Sequence, residues 1–429
     1  ALHAARMLSQ RVRPCPLSEP RRACGFSSAA RSRLNSLDMK DLDIAIVGAG
    51  IGGLSAALAL QKLGFRVRVL EQAPQLAEVG AGLSLSPTAV HGLNWLGLQP
   101  VLQARAYKPE DQCVRHWQDA HPLKWINRGR ALLEKYGERY YLIHRADLHD
   151  GLAAAVRAND PQAIQLGRRA TRIAQDDAGV EIGFADGSAQ RVDVLVGADG
   201  SRSAVRQALF GALEVQYTGY IAWRGLVPME LVPKEYLEPP SGVFLGPGHL
   251  VNRYPVRNGE WLNFVAFAER REWTAEGWSI RSTVQELLDE FEGWTPWVRS
   301  FMERVPPQLL FKWGLFDRDP LAAWSKGRVT LLGDAAHPVL PFLGHGAVLA
   351  IEDGVVLARA FAAASSVPEA LARYEGARLE RATFVFNESR RAVRKFHGDD
   401  PEKFVEAVAN KPVDEGLGLF AYDPSRIPV

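Results

Sequence analysis

A glycine-rich turn near the start of the chain constrains its fold more than any other feature. The turn follows Asp43–Val47, a short apolar run typical of a strand buried on both faces of a parallel sheet. Its glycines, Gly48, Gly50 and Gly53, have the spacing G-x-G-x-x-G. In this pattern the first glycine permits a tight turn, the second lets a pyrophosphate approach the backbone, and the third lets a helix pack closely on the strand.

The residues after the turn complete a strand, helix, strand unit. Residues 54–63 contain no helix breaker and predict a helix, and Val67–Leu70 predicts a second strand that ends at Glu71. Glu71 lies 18 residues beyond Gly53, where an acid accepts hydrogen bonds from an adenosine ribose. The unit predicts a Rossmann-like, dinucleotide-binding domain; the alternative is a glycine-rich packing turn. The unit alone does not distinguish NAD from FAD.

Two kinds of sequence pattern alternate along the rest of the chain. Helical or buried-strand patterns recur at 146–158, 193–197 and 328–363. Between them, residues 112–125 and 217–269 are rich in aromatic residues and valine, alternate in polarity and are broken by proline and glycine. That pattern is typical of antiparallel strands. We therefore predict two domains that are interleaved in sequence.

Composition and charge exclude several classes of protein. With 47% hydrophobic and 23% charged residues, the chain is neither disordered nor a small disulfide scaffold. The 51 basic and 49 acidic residues leave a net charge of +2, which argues against a nucleic-acid partner. There is no apolar run of about 18 residues, so we expect no membrane span. Cys113 is the only cysteine after residue 38, and we assign no metal ligands.

Residues 1–38 differ from the remainder of the chain. They contain seven arginines, no lysine and two acids, together with two cysteines, Cys15 and Cys24. Such an arginine-rich, serine-rich and acid-poor segment is typical of an organellar transit peptide. The alternative is that it comes from codons upstream of a natural start at Met39. We expect residues 1–40 to be a leader outside the fold, and favour a cytoplasmic location over organellar import.

Two further motifs indicate a family. Residues 194–206 read VLVGADGSRSAVR and residues 327–353 read GRVTLLGDAAHPVLPFLGHGAVLAIED. With the glycine turn, they make residues 44–391 resemble the single-component FAD-dependent aromatic hydroxylases of the para-hydroxybenzoate hydroxylase superfamily, in the salicylate and 3-hydroxybenzoate hydroxylase-like branch. The resemblance implies an α/β fold, in which a Rossmann-like FAD-binding domain is interleaved with an antiparallel β-sheet substrate domain. We assign 41–110, 140–214 and 315–395 to the FAD-binding domain, 111–139 and 215–314 to the substrate domain, and 396–429 to a C-terminal tail.

The same resemblance implies which residues contact FAD. In the family, a Gly-Asp pair matched at Asp334 contacts the ribityl chain, and an Asp-Gly pair matched at Asp199 and Gly200 contacts the pyrophosphate side and the nicotinamide donor. Arg145, in the motif His-Arg-x-Asp-Leu, also lines the site. A helix start at 346 faces the anionic edge of reduced flavin. The cofactor-binding residues assigned in this way are Gly48, Gly50, Gly53, Glu71, Gly82, Arg145, Asp199, Gly200, Asp334, Gly346 and Ala347.

The aromatic-rich strands are expected to cover the flavin ring and to bind the substrate. Hydroxylation needs a group that helps to remove a phenolic proton, for which Tyr254 and His249 are candidates. It also needs a cation for a carboxylate, for which Arg224 or Arg253 is suited. The alternative is that these are packing aromatics and solvated arginines. His337 is as well suited to fix its loop as to move protons. The residues assigned to catalysis are Tyr254, His249, Trp223, Arg224 and Pro341.

The resemblance implies a monooxygenase that hydroxylates a small phenolic acid of the salicylate or hydroxybenzoate type. It would use FAD, NAD(P)H and O₂, through a flavin C4a-hydroperoxide. A single glycine fingerprint leaves NAD(P)H without a domain of its own, and NADH and NADPH are not distinguished. Alternatives are another aromatic or heteroaromatic substrate, such as a hydroxynicotinate, and a flavoprotein that serves as a redox or interaction module. A homodimer is left open.

Overall fold

The structure is a computed structural model that describes residues 39–76, 81–273, 280–396, 402–403 and 416–429, with the side chains of 393–396 left out. All of the expected leader except its last two residues lies outside the described part, as does much of the expected C-terminal tail. Residues 38–429 form one compact unit, so the interleaved domain boundaries stay a prediction.

The regular elements are numbered in chain order. The strands are β1 (Asp43–Val47), β2 (Arg66–Leu70), β3 (Gly82–Leu85), β4 (Asp111–His116), β5 (Pro122–Asn127), β6 (Tyr141–His144), β7 (Ile164–Gln165), β8 (Ala170–Asp176), β9 (Gly179–Phe184), β10 (Ala189–Val192), β11 (Val194–Gly197), β12 (Gln216–Pro228), β13 (Gly242–Gly246), β14 (His249–Val256), β15 (Trp261–Glu269), β16 (Ile280–Arg281), β17 (Phe311–Asp317) and β18 (Val329–Leu331). The helices are α1 (Ile51–Lys62), α2 (Pro87–Trp95), α3 (Gln99–Arg105), α4 (Arg130–Tyr136), α5 (Arg145–Asn159), α6 (Ala204–Phe210), α7 (Val284–Glu290), α8 (Pro296–Met302), α9 (Gly346–Ala363) and α10 (Val367–Phe396).

A five-stranded parallel sheet carries the glycine-rich turn. Its order is β18-β11-β1-β2-β7, with β1 between β11 and β2. Residues 44–47 of β1 are buried, as the apolar run predicts, and α1 and α9 pack against each other beside the sheet. The carboxyl ends of β1, β11 and β18 lead into the Gly-x-Gly, Asp-Gly and Gly-Asp motifs respectively. Because parallel strands end at one edge, the three motifs meet there.

An eight-stranded sheet makes the second layer, in the order β16-β17-β12-β15-β14-β13-β4-β5. Its neighbouring strands are antiparallel, as predicted, except that β13 runs parallel to β4. The exception arises because the β4–β5 hairpin comes from an earlier part of the chain and is added at the edge. Two small sheets, β10-β9-β8 and β3-β6, complete the described strands.

The eight-stranded sheet has two faces with different neighbours. The outer face, which includes Trp223 and Phe264, packs with Phe291 and Phe301 beside the helices α7 and α8. The inner face packs against Leu340, which follows the Gly-Asp pair by six residues. This face includes Ala222, Leu245, Leu250 and Phe267. The inner face is therefore the one turned to the motifs of the parallel sheet. None of the helices in the described part of the chain has the length and apolar character needed to cross a membrane.

Candidate active site

The glycine-rich turn has the geometry that a pyrophosphate requires. Gly48 has a φ of +105°, and a Cβ atom there would lie 2.4 Å from the carbonyl oxygen of Ala198. A Cβ atom on Gly53 would lie 2.0 Å from the carbonyl oxygen of Gly48, so α1 can approach β1 only with glycine at this position. At Gly50 nothing lies within 4 Å of the Cβ position. The backbone is thus open to a ligand at Gly50 and tightly packed at the other two glycines.

The N-terminus of α1 faces this opening. No side chain caps it and its first turn holds no acid, so its free N–H groups favour an anion. Glu71 supports the turn, since its Oε2 accepts a hydrogen bond from the Ala49 N–H (2.8 Å) and its Oε1 accepts one from the Ala73 N–H (2.8 Å). His149 Nε2 lies 2.6 Å from the Ala49 carbonyl oxygen. Each carboxylate oxygen of Glu71 keeps a second lone pair that a ribose hydroxyl can use.

The carboxylate of Asp199 is turned into its own helix. Its Oδ1 accepts a hydrogen bond from the Ser203 hydroxyl, and its Oδ2 accepts bonds from the N–H groups of Ala204 (2.7 Å) and Val205 (3.1 Å). Asp199 therefore helps to cap the N-terminus of α6, together with the N-cap residue Ser203, whose hydroxyl accepts a hydrogen bond from the Arg206 N–H (2.9 Å). The neighbouring Gly200, with a φ of +76°, has nothing within 4 Å of its Cβ position and is the open part of this loop.

Arg206 connects the loop that contains the Asp-Gly pair (residues 198–203, the Asp-Gly loop) to the loop that contains the Gly-Asp pair (residues 332–345, the Gly-Asp loop). Its Nη2 donates to the carbonyl of Ser201 (2.7 Å) and its Nη1 to the carbonyl of Ala335 (3.0 Å). Burial lowers the pKa of Arg206 to about 10, so it remains charged at neutral pH. The position of each loop thus depends on the other.

Asp334 is the acid of the Gly-Asp motif, and its carboxylate accepts no hydrogen bond from any described residue. Solvent reaches it through a cleft, although the surrounding protein withholds enough water to raise the pKa of the carboxyl. The charges of His337, Arg145 and Arg318 oppose that rise. Its Oδ1 lies 3.9 Å from the Cβ position of Gly346, at the start of α9. The structure therefore brings Asp334, Arg145 and the N-terminus of α9 together.

A buried carboxylate that the sequence analysis missed holds the Gly-Asp loop in place. Asp353 Oδ2 accepts a hydrogen bond from the Gly333 N–H (2.9 Å) and lies 2.6 Å from His337 Nε2. Its Oδ1 accepts one from Arg378 Nε (2.7 Å). The ring centroid of His337 lies 4.9 Å from that of Trp324. His337 thus fits the role of fixing its loop.

The charge of Asp353 is balanced within the protein. Burial alone would raise the pKa of Asp353, but His337, Arg378 and the Gly333 N–H outweigh it and lower the pKa to about 2. Arg378 Nη1 also lies 2.6 Å from Glu352 Oε2, and Arg381 pairs with the same carboxylate. The sequence feature that could have indicated this network is the pair of adjacent acids, Glu352 and Asp353, within the largely apolar α9.

The N-terminus of α9 provides a second site for negative charge. No side chain caps it, and its first turn contains no acid. Gly344 turns the chain into the helix with a φ of +64°, and its Cβ position lies 3.7 Å from the Ser84 Cβ in β3. The first helical residues, Gly346 and Ala347, are half-buried beside Asp334. Their N–H groups would face the electron-rich edge of a reduced flavin.

A cleft of about 310 Å³ lies between the loops and the end of β17. Pro341 is exposed in this cleft, while its neighbour Phe342 packs on the inner face, 4.8 Å from Phe267 between ring centroids. The structure thus places Pro341 in the same cleft as Asp334. The residues that line the cleft are Ser201, Arg202, Val215, Gly314, Leu315, Phe316, Arg318, Asp334, Pro338, Val339, Leu340 and Pro341.

The other residues assigned to catalysis are divided between the two faces of the eight-stranded sheet. Arg224 and Tyr254 lie on the inner face. Trp223 lies on the outer face, where its Nε1 donates to the Ser282 hydroxyl (2.9 Å). His249 is also turned outward, with its Nε2 3.0 Å from Glu290 Oε1. The structure does not bring Trp223 and His249 to the cleft, and their assignment stays a prediction.

Tyr254 is packed beneath the strand that contains Gly82. A Cβ atom on Gly82 would lie 2.4 Å from the Tyr254 ring, and the Gly82 N–H donates to Asn263 Oδ1 (2.7 Å). Burial and the nearby Tyr140 raise the pKa of Tyr254, and a hydrogen bond with Ser84 opposes this only in part. The hydroxyl is therefore protonated at neutral pH and suits a hydrogen-bond donor better than a base.

These features fit FAD. The open backbone at Gly50, the two uncapped helix starts and the unbonded carboxylate of Asp334 lie along the edge where β1, β11 and β18 end. Together they offer sites for a pyrophosphate, for a polyol chain and for an electron-rich ring.

Comparisons with known proteins agree with this geometry. Residues 41–389 match the family model described as FAD binding domain. The chain is 38% identical over 380 residues to a 3-amino-4-hydroxybenzoate 2-monooxygenase of Streptomyces platensis, covering 88% of this chain and 94% of that protein. It is 35% identical over 368 residues to a 3-hydroxybenzoate 6-hydroxylase of Polaromonas naphthalenivorans, covering 85% and 90%.

A solved structure extends the agreement to the fold. HpxO of Klebsiella pneumoniae, complexed with FAD and uric acid, superposes with a TM-score of 0.80 at 29% identity, covering 90% of this chain and 97% of that one. The Rossmann-like sheet interleaved with a second sheet is therefore the fold of a known flavoprotein. Since the family match spans most of the chain and the relatives align over nearly their whole length, this chain belongs to the FAD binding domain family and is an FAD-dependent aromatic monooxygenase.

Proposed function

We propose that this enzyme hydroxylates a small aromatic acid with a ring hydroxyl, and that the substrate binds on the inner face of the eight-stranded sheet. One observation carries the proposal. Two buried polar atoms on this face, Asn252 Oδ1 and Asn263 Nδ2, meet no hydrogen-bond partner among the described residues. Since buried polar groups in proteins are almost always paired, these atoms indicate a polar ligand on this face.

The inner face presents these groups in two adjacent rows. Arg224 and Asn252 lie on either side of Val265, and Leu226 and Tyr254 lie on either side of Asn263. The strands β12 and β14 each lie one strand spacing from β15, so the Cα atoms of Arg224 and Asn252 are separated by about 10 Å. A benzoate ring with substituents at both ends fits between groups at that spacing.

Arg224 suits a carboxylate. Its guanidinium lies 5.5 Å from the ring centroids of both Phe311 and Trp313, which fix its position and keep it partly out of water. A partly desolvated guanidinium with a planar set of donors favours a carboxylate. Tyr254, protonated at neutral pH, would donate a hydrogen bond to the ring hydroxyl and hold it in one orientation.

The residues of the parallel-sheet edge would hold FAD. The backbone at Gly50 and Gly200 would receive the pyrophosphate, Glu71 the ribose and Asp334 the ribityl hydroxyls. The chemistry supplied by bound FAD is electron uptake from NAD(P)H and activation of O₂ for transfer of one oxygen atom to the ring. The apolar inner face would exclude water from that transfer.

The names of the relatives support a benzoate. The two relatives described above are named for hydroxybenzoates, one of them with an added amino group. A heteroaromatic substrate is the second candidate, because the matched HpxO structure contains uric acid. A panel of hydroxybenzoates, amino-hydroxybenzoates, hydroxynicotinates and uric acid tests the proposal. We expect one of the benzoates to stimulate NAD(P)H oxidation and to yield a hydroxylated product; stimulation by the heterocycles alone would reject it.

Two variants locate the substrate. Arg224→Gln should raise the KM for the acid at least tenfold, because a charge-assisted hydrogen bond is worth about 1.5–3 kcal/mol. Arg168→Gln is the matched control, since that arginine lies 3.8 Å above Phe184 in the three-stranded sheet. Tyr254→Phe should keep the flavin spectrum while lowering product formed per NAD(P)H. Unchanged product yield would remove Tyr254 from the site.

We propose three further features from the sequence. The first is the division into the FAD-binding and substrate segments predicted from the sequence. The others are assembly as a homodimer and a cytoplasmic location. Sedimentation of the purified protein tests the second, and imaging of a tagged chain tests the third.

A further inference from the structure

We infer that the turn between β4 and β5 binds a divalent metal ion of the zinc type. The turn carries His116, Asp119 and His121, and the ligand atoms of these three side chains all lie within 4.8 Å of one another. Imidazole nitrogen and carboxylate oxygen are ligands that Zn²⁺ takes in proteins. The turn lies at the edge of the eight-stranded sheet and has no part in the cofactor contacts described above.

The spacing of the ligand atoms is close to that of a coordination shell. Asp119 Oδ1 lies 3.5 Å from His116 Nδ1 and 2.7 Å from His121 Nδ1. Ligands held about 2.0–2.2 Å from a tetrahedral ion are separated by about 3.4 Å. The first distance matches. The second is a hydrogen bond in the metal-free turn, which the ion would replace by displacing the shared proton and moving the His121 ring by less than 1 Å. Three protein ligands leave one position for water, as in open zinc sites.

The backbone fixes this arrangement before any ion binds. The His116 N–H donates to the His121 carbonyl (3.0 Å), and the Ala120 N–H donates to the His116 carbonyl (3.1 Å). Ala120 has a φ of +61°, and its carbonyl accepts a hydrogen bond from Arg115 Nη1 (2.7 Å). That bond directs the Arg115 guanidinium to a backbone oxygen. The His121 N–H donates to Asp119 Oδ1 (3.1 Å). A preorganised turn lowers the entropy cost of binding.

A second carboxylate lies behind one of the ligands. Glu402 Oε1 is 3.6 Å from His121 Nε2, the ring nitrogen that does not face Asp119. A carboxylate that hydrogen-bonds this nitrogen fixes the tautomer of a ligating histidine and raises its basicity, and a shift of about 0.5 Å would form that bond. Together Glu402 and Asp119 carry two negative charges, which balance a divalent ion.

Calorimetric titration of the FAD-loaded full chain with ZnCl₂, after removal of metals with a chelator, tests the inference. We expect one ion per chain at this turn. His121→Ala and Asp119→Asn should each weaken that binding by at least a hundredfold, and Glu402→Gln by about tenfold. Asp186→Asn is the matched control, because Asp186 also stabilises a turn, through Ser188, but lies outside the cluster.

The outcomes separate clearly. Loss of one ion in His121→Ala and Asp119→Asn, with an unchanged flavin spectrum and an unchanged Asp186→Asn titration, supports the site. Equal Zn²⁺ binding by the wild type and His121→Ala would overturn it, and so would the absence of binding to the wild type. Zn²⁺-dependent dimerisation with half an ion per chain would also reject a site formed within one chain.

Discussion

The Asp-Gly loop after β11 and the Gly-Asp loop after β18 contain the same two residue types, lie at the same edge of the sheet and resemble motifs that contact the same cofactor. Their carboxylates nevertheless have opposite surroundings. Asp199 accepts hydrogen bonds from Ser203, Ala204 and Val205 in its own helix. Asp334 accepts none from any described residue and faces a cleft.

The difference shows that a motif can place an acid near a ligand without making it available to that ligand. Asp199 stabilises the start of α6, so the part of this loop that is open to a ligand is the backbone of Gly200. Asp334 leaves its oxygens free, and the task of holding its loop passes to Asp353 through the Gly333 N–H. Asp199 therefore stabilises its own helix, whereas Asp334 is left available to a ligand at some cost to stability.

The largest expected effect comes from removing the support of the Gly-Asp loop. Asp353→Ala should lower the free energy of unfolding by about 3–5 kcal/mol, because it leaves Arg378 buried without one of its two acids. FAD affinity should fall as well, since the Gly333 N–H loses its acceptor. Urea unfolding and FAD titration measure the two effects. Glu380→Gln, at an exposed position of α10, should change neither.

Asp334→Ala should separate the two roles. A charge-assisted hydrogen bond is worth about 1.5–3 kcal/mol, so FAD affinity should fall roughly 10–150-fold. The stability of the apoprotein should not fall, because the carboxylate has no hydrogen-bond partner to lose. Flavin fluorescence during titration of the apoprotein gives the affinity. If the apoprotein were instead destabilised by more than 1 kcal/mol, the contrast between the two loops would be wrong.

Asp199→Ala should show the reverse pattern. Loss of the helix cap should cost about 1–2 kcal/mol of stability. FAD affinity should change less than in Asp334→Ala, because the carboxylate of Asp199 is already engaged by its own helix and the open part of the loop is the backbone of Gly200. Ser203→Ala removes one of the three donors to Asp199 and also the N-cap hydroxyl that accepts from the Arg206 N–H, so it too should lose stability while FAD affinity changes little. A larger loss of FAD affinity in Asp199→Ala than in Asp334→Ala would reverse the assignment.

The smallest effects are those of pH on the apoprotein, and they have opposite signs at Asp334 and at Asp353, the acid of α9 that holds the Gly-Asp loop. The folded-state pKa of Asp353 is depressed to about 2, so its contribution is present above the unfolded pKa of 3.8 and is lost as pH falls toward 2. The pKa of Asp334 is raised, so its charge destabilises the fold above pH 3.8. Asp334→Asn should therefore gain stability over the wild type between pH 4 and pH 7, as urea unfolding can measure.

Much of the cofactor site could be predicted from sequence because its constraints are local. The glycine spacing, the strand before it and Glu71 after it follow from backbone sterics and from the fixed length of one strand, helix, strand unit. The motif at Asp334 is equally local. The motif did not reveal the role of Asp353, which lies about two turns into α9 and contacts the loop only in the folded chain.

The sequence by itself determined the strand and helix pattern, the glycine turn and the family. Side-chain alternation also required Trp223 and Arg224 to lie on opposite faces of one strand. Only the tertiary structure decided which face meets the cofactor edge, because that depends on the packing of Leu340 and Phe342 against the sheet. It also decided that the carboxylate of Asp199 accepts hydrogen bonds from its own helix, whereas that of Asp334 faces the cleft. Hydrogen-bond partners and burial depend on groups distant in the chain, and no local pattern specifies them.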